Sequence, residues 1–258
     1  MSPLLLLAVV AVGAVVGFLG GMLGKGGSAL ATPVLAALGI PPLIALAAPL
    51  PATVPGSLVA AARYRRQGLI DRTILRWSLI AGLPATVVGA LASKWVDGRA
   101  LVVVTDVLLV GLGARMVLSA RQGSDRAPST DSASMGPSGG TGRTLAVAVA
   151  SGLAAGLLAN SGGFLLAPLF VAVLGLSIKP AFGTSLAVAS VLAIPGTVVH
   201  LGLGHLDPEV VAAFAVGSVP FAGVGARMAL RTDSDRLERG YGVVLMLFGL
   251  AFLVGPHL

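Results

Sequence analysis

The sequence predicts an all-α integral membrane protein: two inverted-topology repeats of about five segments each, with short broken or re-entrant helices in each half. Three observations carry that prediction. The 258-residue chain is 56% hydrophobic and only 10% charged, with a mean hydropathy of +0.97, whereas about a quarter of the residues in a soluble domain are charged. Apolar runs recur that are long enough to cross a hydrocarbon layer of about 30 Å as helices. The two halves also share their glycine and proline punctuation, while their arginines fall in different loops. The chain has no cysteine, which excludes disulfide and thiolate chemistry. Its net charge of +7 comes mostly from arginines in short loops, and so reports orientation before it suggests nucleic acid.

Apolar segments fall at about 4–23, 28–39, 42–62, 74–93 and 99–118, then at 144–159, 163–175, 180–202, 208–229 and 239–256. The first lacks a basic leader and a cleavage site and outruns a signal peptide, so it is expected to be a retained helix. Gly13, Gly17 and Gly21 recur every four residues along it and predict a face packed closely on another helix. Segments 28–39 and 163–175 are too short to cross comfortably. Each starts at a glycine pair, Gly26-Gly27 or Gly162-Gly163, which suits a helical hairpin whose tip lies inside the membrane. A full crossing by the first segment remains the other reading. Pro49, Pro51 and Pro55 should break the third segment, since each removes a backbone donor. Ser, Gly, Pro and charge dominate "SARQGSDRAPSTDSASMGPSGGTGR", a solvated linker. The expected units are therefore a first transmembrane repeat over 1–119, a linker over 120–143, and a second repeat over 144–258.

Shifting the first half by 135 places Gly17, Gly21, Leu23, Gly27, Leu30 and Pro33 on Gly152, Gly156, Leu158, Gly162, Leu165 and Pro168. With small gaps, Gly68, Asp71, Pro84 and Gly89 meet Gly204, Asp207, Pro220 and Gly225. The loop from Arg63 to Arg76 is rich in arginine, whereas its counterpart, "GLGHLDPE", has none and the following loop, Arg227 to Arg239, is basic. Basic loops face the cytoplasm. The switch predicts opposite topologies for the halves, with the linker cytoplasmic and both termini outside.

Lys25 is the one charge in "GGMLGKGGSALATP". A phosphate loop does not fit: Gly20 is one residue too close to Gly24, Gly26 follows the lysine, and no strand precedes it. Two readings remain. Lys25 could snorkel to headgroups as an ordinary cytoplasmic charge. Alternatively it sits at a hairpin tip in a water-accessible cavity, where the amides of Gly26, Gly27 and Ser28 open a helix N-terminus that favours anions. The repeat sets Asn160 at the place of Lys25. Asn160 and Ser161, just before Gly162, could donate to the far side of one small oxyanion, or serve as interhelix glue or a helix cap. Thr184 and Ser185 in "FGTSLAV" could line the cavity or bond back to the preceding turn. Their counterparts are Ala48 and Pro49. Asp106 could partner Lys25 or carry a coupling proton, or pair within a polar bundle interior. His200 suits polar packing better than proton relay.

At "GFLGGMLGKGGSALATPVLAALGIP", repeated as "GLAAGLLANSGGFLLAPLFVAVLGLS", the chain resembles the TauE/SafE sulfite-exporter family of membrane permeases. Family members carry a glycine-rich motif in each half, then a Gly-Thr-Ser element and a basic loop like "RYRRQGLID". The resemblance covers all but the linker. It implies transport or export of sulfite, thiosulfate, sulfonates or related organic acids. Lys25 stands where members usually have a small or apolar residue, and the first half lacks Gly-Thr-Ser, so a particular substrate does not carry over.

The expected function is a multi-pass cell-membrane permease moving a small, sulfur-containing anion by alternating access, with protons or another ion as coupling partner. A passive anion channel is the alternative. An intramembrane enzyme, with Lys25 and Ser28 as its conceivable dyad, is a weaker one. No cofactor, metal or nucleic acid is implied, and the partners expected are the anion and the lipid bilayer.

Overall fold

The computed structural model describes residues 2–24, 28–92, 110–111, 113–114, 141–157 and 163–254. The described residues are helical and contain no strand. The elements are α1 (Pro3–Met22), α2 (Ser28–Ala37), α3 (Pro42–Ala47), α4 (Pro49–Arg66), α5 (Arg72–Ala92), α6 (Thr141–Leu157), α7 (Gly163–Ala172), α8 (Ile178–Gly202), α9 (Pro208–Arg231) and α10 (Ser234–Val254). Pro3–Met22, Ile178–Gly202, Pro208–Arg231 and the run Leu43–Arg66, which spans α3 and α4, are long and apolar enough to cross a membrane. By contrast, α2 and α7 have 10 residues each, about 15 Å at helical rise, half of what a bilayer requires. The expected segment 99–118 and linker 120–143 lie almost wholly outside the described residues.

The third apolar segment divides at the first of its named prolines. The break falls at Ala48, and Pro49 opens α4 rather than ending it. Its missing N–H is no loss in a first helical turn. Pro55 lies inside α4 without terminating it, and Pro84 and Pro220 sit inside α5 and α9 in the same way.

Two interlocked pairs organise the bundle. On α1, Gly13, Gly17 and Gly21 press against the backbone of Phe214, Ser218 and Ala222 on α9, so the two helices run parallel. From the other side, Gly217 and Gly225 meet the carbonyls of Val10 and Phe18. A Cβ at any of these glycines would overlap backbone, which is why this face carries none. The second pair is α5 with α6, where Gly152 meets Gly82 and Gly89 meets the Leu153 carbonyl. These contacts correspond residue for residue. Gly17 on Ser218 becomes Gly152 on Gly82, and Gly225 on Phe18 becomes Gly89 on Leu153.

Between the pairs, α4 and α8 cross antiparallel: Gly196 sits beside Leu50, and Gly183 beside Tyr64. Two satellite cores flank them. Leu35, Ala45, Ala52 and Val210 belong to one, and Phe170, Ala181, Val188 and Ile74 to the other. Each aligns with its opposite number when the two halves of the sequence are superposed.

The matched turns are built alike. Gly68 and Gly204 both have φ of +71°, a conformation glycine adopts without steric cost. Asp71 then accepts from the amides of Thr73 and Ile74 at 2.8 and 2.9 Å. Asp207 accepts from Glu209 and Val210 at 2.9 and 3.2 Å. Each is an N-cap worth about 1 kcal/mol. The Thr184–Asp71 contact and a Lys179 ammonium on the Leu230 carbonyl at 3.3 Å bring the ends of α4 and α9 and the starts of α5 and α8 to one end of the bundle. Arg63, Arg65, Arg66, Arg72, Arg227 and Arg231 stand on those turns.

Candidate functional site

The turn that leaves α1 enters the bundle near its arginine-rich end. Gly24 has φ of +63°, and a Cβ there would lie 2.7 Å from the Phe182 ring and 2.9 Å from Ser185 Oγ. The Ser185 hydroxyl donates to the Gly24 carbonyl at 3.2 Å, shared with the Phe182 carbonyl at 3.0 Å. Phe182 is itself held edge-on by Tyr241, with ring centroids 4.9 Å apart. Ser185 lies two helical turns into α8, about 10 Å from the start of that helix at 1.5 Å per residue. On α9, Gly225 meets Phe18 well before the helix ends at Arg231. Gly24 therefore stops inside the bundle, short of its end, and α2 begins at Ser28 and turns back.

The Gly183-Thr184-Ser185 element holds this turn and its neighbour. Gly183 lets the Leu69 carbonyl and the Tyr64 side chain approach. The Thr184 hydroxyl accepts from the Asp71 amide at 3.0 Å, fully buried. Thr184 thus reaches across to another helix, and Ser185 bonds both across to Gly24 and back to its own helix. Lys25, Gly26, Gly27, Asn160, Ser161, Gly162 and Asp106 lie outside the described residues. His200 meets His205, Nδ1 to Nδ1 at 3.2 Å, at the end remote from the arginines.

A cavity adjoins the turn, between α1, α4 and α9, with about 20 Å³ open to the centre of a water molecule, room for one or two waters. Gly20 and Gly21, just before the turn, line it with Thr53, Gly56, Ser57 and Ser218. Ser57 and Ser218 were missed by sequence reasoning. Each follows a glycine and lies two residues from a proline, Pro55 or Pro220. That pattern marks a polar interruption in an apolar helix, but only packing brings the two serines to one cavity. Among the described residues, no three His, Asp or Glu side chains come together as a metal site.

Residues 9–252 match the family described as sulfite exporter TauE/SafE. The chain belongs to the TauE/SafE family. It is 23% identical over 259 residues to the probable membrane transporter protein YjnA of Bacillus subtilis (strain 168), covering 95% of this chain and 99% of the relative. It is 26% identical over 252 residues to a probable membrane transporter protein of Xylella fastidiosa (strain 9a5c), covering 93% and 92%. No solved structure matches it. Family, relatives and apolar helices together indicate a multi-pass TauE/SafE membrane transporter.

Proposed function

We propose that this TauE/SafE protein is a secondary transporter of a small sulfur-containing anion, such as sulfite, thiosulfate or a sulfonate, working by alternating access between two inverted halves. The observation that carries this reading is Gly24, just past the end of α1, which lies about 10 Å inside the bundle and is tied there to α8 through Ser185. A helix that starts inside the bundle presents unpaired amides to whatever enters. In this reading Lys25 supplies charge, and Gly26, Gly27 and Ser28 supply amides. Asn160 and Ser161, with Gly162, form the opposing tip at the start of α7. Thr184 and Ser185 hold the backbone around the site, and Asp106 is the candidate for proton coupling. A passive channel would use the same groups but show fluxes that do not saturate.

The exchange of packing pairs between the halves supports the inverted repeat. So do the directions of the helices: α1 runs toward the arginine-rich end, whereas its counterpart α6 runs away from it beside α5. With basic ends cytoplasmic, linker 120–143 is inside and both termini are outside. Single cysteines replacing Ser132 and His205 in this cysteine-free chain should then be labelled only from the cytoplasm and only from outside, respectively. Labelling of both from one side would overturn the orientation.

The test of function is flux into proteoliposomes across a panel of sulfur oxyanions and small carboxylates, with Lys25→Ala beside the wild type. Saturable, counterflow-competent uptake of a sulfur oxyanion is expected, reduced at least about tenfold by Lys25→Ala, as befits loss of one charge-assisted interaction of roughly 1.5–3 kcal/mol. A folded Lys25→Ala protein with normal flux would remove the lysine from the site.

A further inference from the structure

We propose that the cavity between α1, α4 and α9 is the neutral subsite for the transported anion. There the Ser57 and Ser218 hydroxyls would donate hydrogen bonds to the oxygens of a small sulfur oxyanion. The proposal deepens the transporter reading and rests on it.

Ser57 and Ser218 are more than nine-tenths buried, at 0% and 6% exposed, and both line the cavity. Neither hydroxyl has a hydrogen-bond partner among the described residues. Thr53, Thr86, Ser151 and Thr197, also on helices, each donate back to a carbonyl one turn earlier. A buried hydroxyl without a partner costs stability unless something else fills its bonding capacity.

The glycines in the wall make the same point. At Gly13, Gly17 and Gly21 a side chain would overlap the backbone of α9. Gly56 has room: a Cβ there would lie 3.8 Å from Ala222 Cβ and 3.9 Å from Val219 Cα. Gly20 has nothing within 4 Å of its Cβ position among the described residues. Neither needs a positive φ, and glycine inside a helix is costly relative to alanine. Packing among the described residues and backbone geometry leave both glycines unexplained. What they do is keep the cavity open.

The equivalent region around Leu192 has none of these five residues. In the repeat, Thr53, Ser57 and Ser218 correspond to Ala189, Ala193 and Gly82, Gly20 to Ala155, and Gly56 to Leu192. The Leu192 side chain is buried and lies 3.5 Å from the Cβ position of Gly82. The polar pocket is thus one-sided, next to the α1–α2 turn through Gly20 and Gly21. In this conformation it admits water alone, so an oxyanion enters when α1 and α4 part.

The test is uptake of radiolabelled sulfite, thiosulfate and methanesulfonate into proteoliposomes by the wild type, Gly56→Leu, Gly56→Ala and the Ser57→Ala/Ser218→Ala double variant, with thermal unfolding of each. Gly56→Leu, which installs the side chain of the opposite half, should lower flux at least about tenfold, while Gly56→Ala confirms that the site tolerates a Cβ. The double variant should keep or raise its unfolding temperature, since two unpaired hydroxyls are removed. Its KM should rise about tenfold or more, the equivalent of roughly 1.4 kcal/mol of lost anion binding, with kcat changed less. The double variant adds no volume, so it decides the matter if Gly56→Leu does not fold. An unchanged KM overturns the subsite, and an unchanged KM with a lowered unfolding temperature assigns the hydroxyls to a structural water. If the wild type moves none of these anions, the transporter reading falls and takes the subsite with it. Wild-type flux with unaffected variants removes the subsite alone.

Discussion

The surroundings of Gly56 and Leu192 occupy equivalent places in the two halves and are packed in opposite ways. Both regions sit beside a glycine-interlocked helix pair, α1 with α9 or α5 with α6. Both have a capped turn and a satellite core of corresponding residues. Yet one encloses a cavity bearing two unpartnered hydroxyls, and the other places a leucine there. The surroundings of Leu192 are not free of unpartnered hydroxyls, because Ser78 on α5, in the place of Phe214, is also buried without a partner. The difference shows that the glycine interlock is scaffold: it is present at both helix pairs, whereas the polar cavity lies beside only one.

The comparison can be tested by substitution. The largest effect is expected at the shared scaffold. Gly17→Leu should prevent assembly of α1 on α9, and Gly152→Leu should do the same to α6 on α5, both visible as aggregated protein in gel filtration. A mild effect in only one half would break the equivalence of the pairs. Next comes Leu192→Ala, which opens a void where the second half is filled and should cost about 2–5 kcal/mol, read as a lowered unfolding temperature in detergent. The smallest effect is Gly56→Ala, which should stabilise by up to about 1 kcal/mol through helix propensity alone. Destabilisation there would mean that the wall of the cavity is already tightly packed.

Much of the scaffold was legible in the sequence. The four-residue spacing of Gly13, Gly17 and Gly21 announced a close-packed face, and the structure supplies its partner, Phe214, Ser218 and Ala222 on α9. The alignment of Asp71 with Asp207 is explained by their identical work as N-caps. The proline-rich third segment does divide, immediately before Pro49, whereas Pro55 is accommodated within α4. For Thr184 and Ser185 the sequence left cavity lining and local back-bonding equally open. Ser185 does bond back to Phe182, but each also reaches a backbone group more than a hundred residues away, Asp71 N–H or Gly24 C=O. No local pattern encodes such partners.

Composition, hydropathy and glycine motifs by themselves determined the class of this protein: helical, membrane-embedded and of the TauE/SafE type. Those properties follow from one-dimensional rules, the length of an apolar run and the spacing of residues on a helix face. Only the tertiary structure decided which helices share an interface and that Ser57 on α4 and Ser218 on α9 face one cavity. It also decided that the turn at Gly24 ends against Ser185. Distance between helices depends on whole surfaces fitting together, and a linear sequence of mostly Ala, Leu, Val and Gly offers many faces of nearly equal merit. Backbone overlap at the glycines selects among them, and that selection exists only in three dimensions.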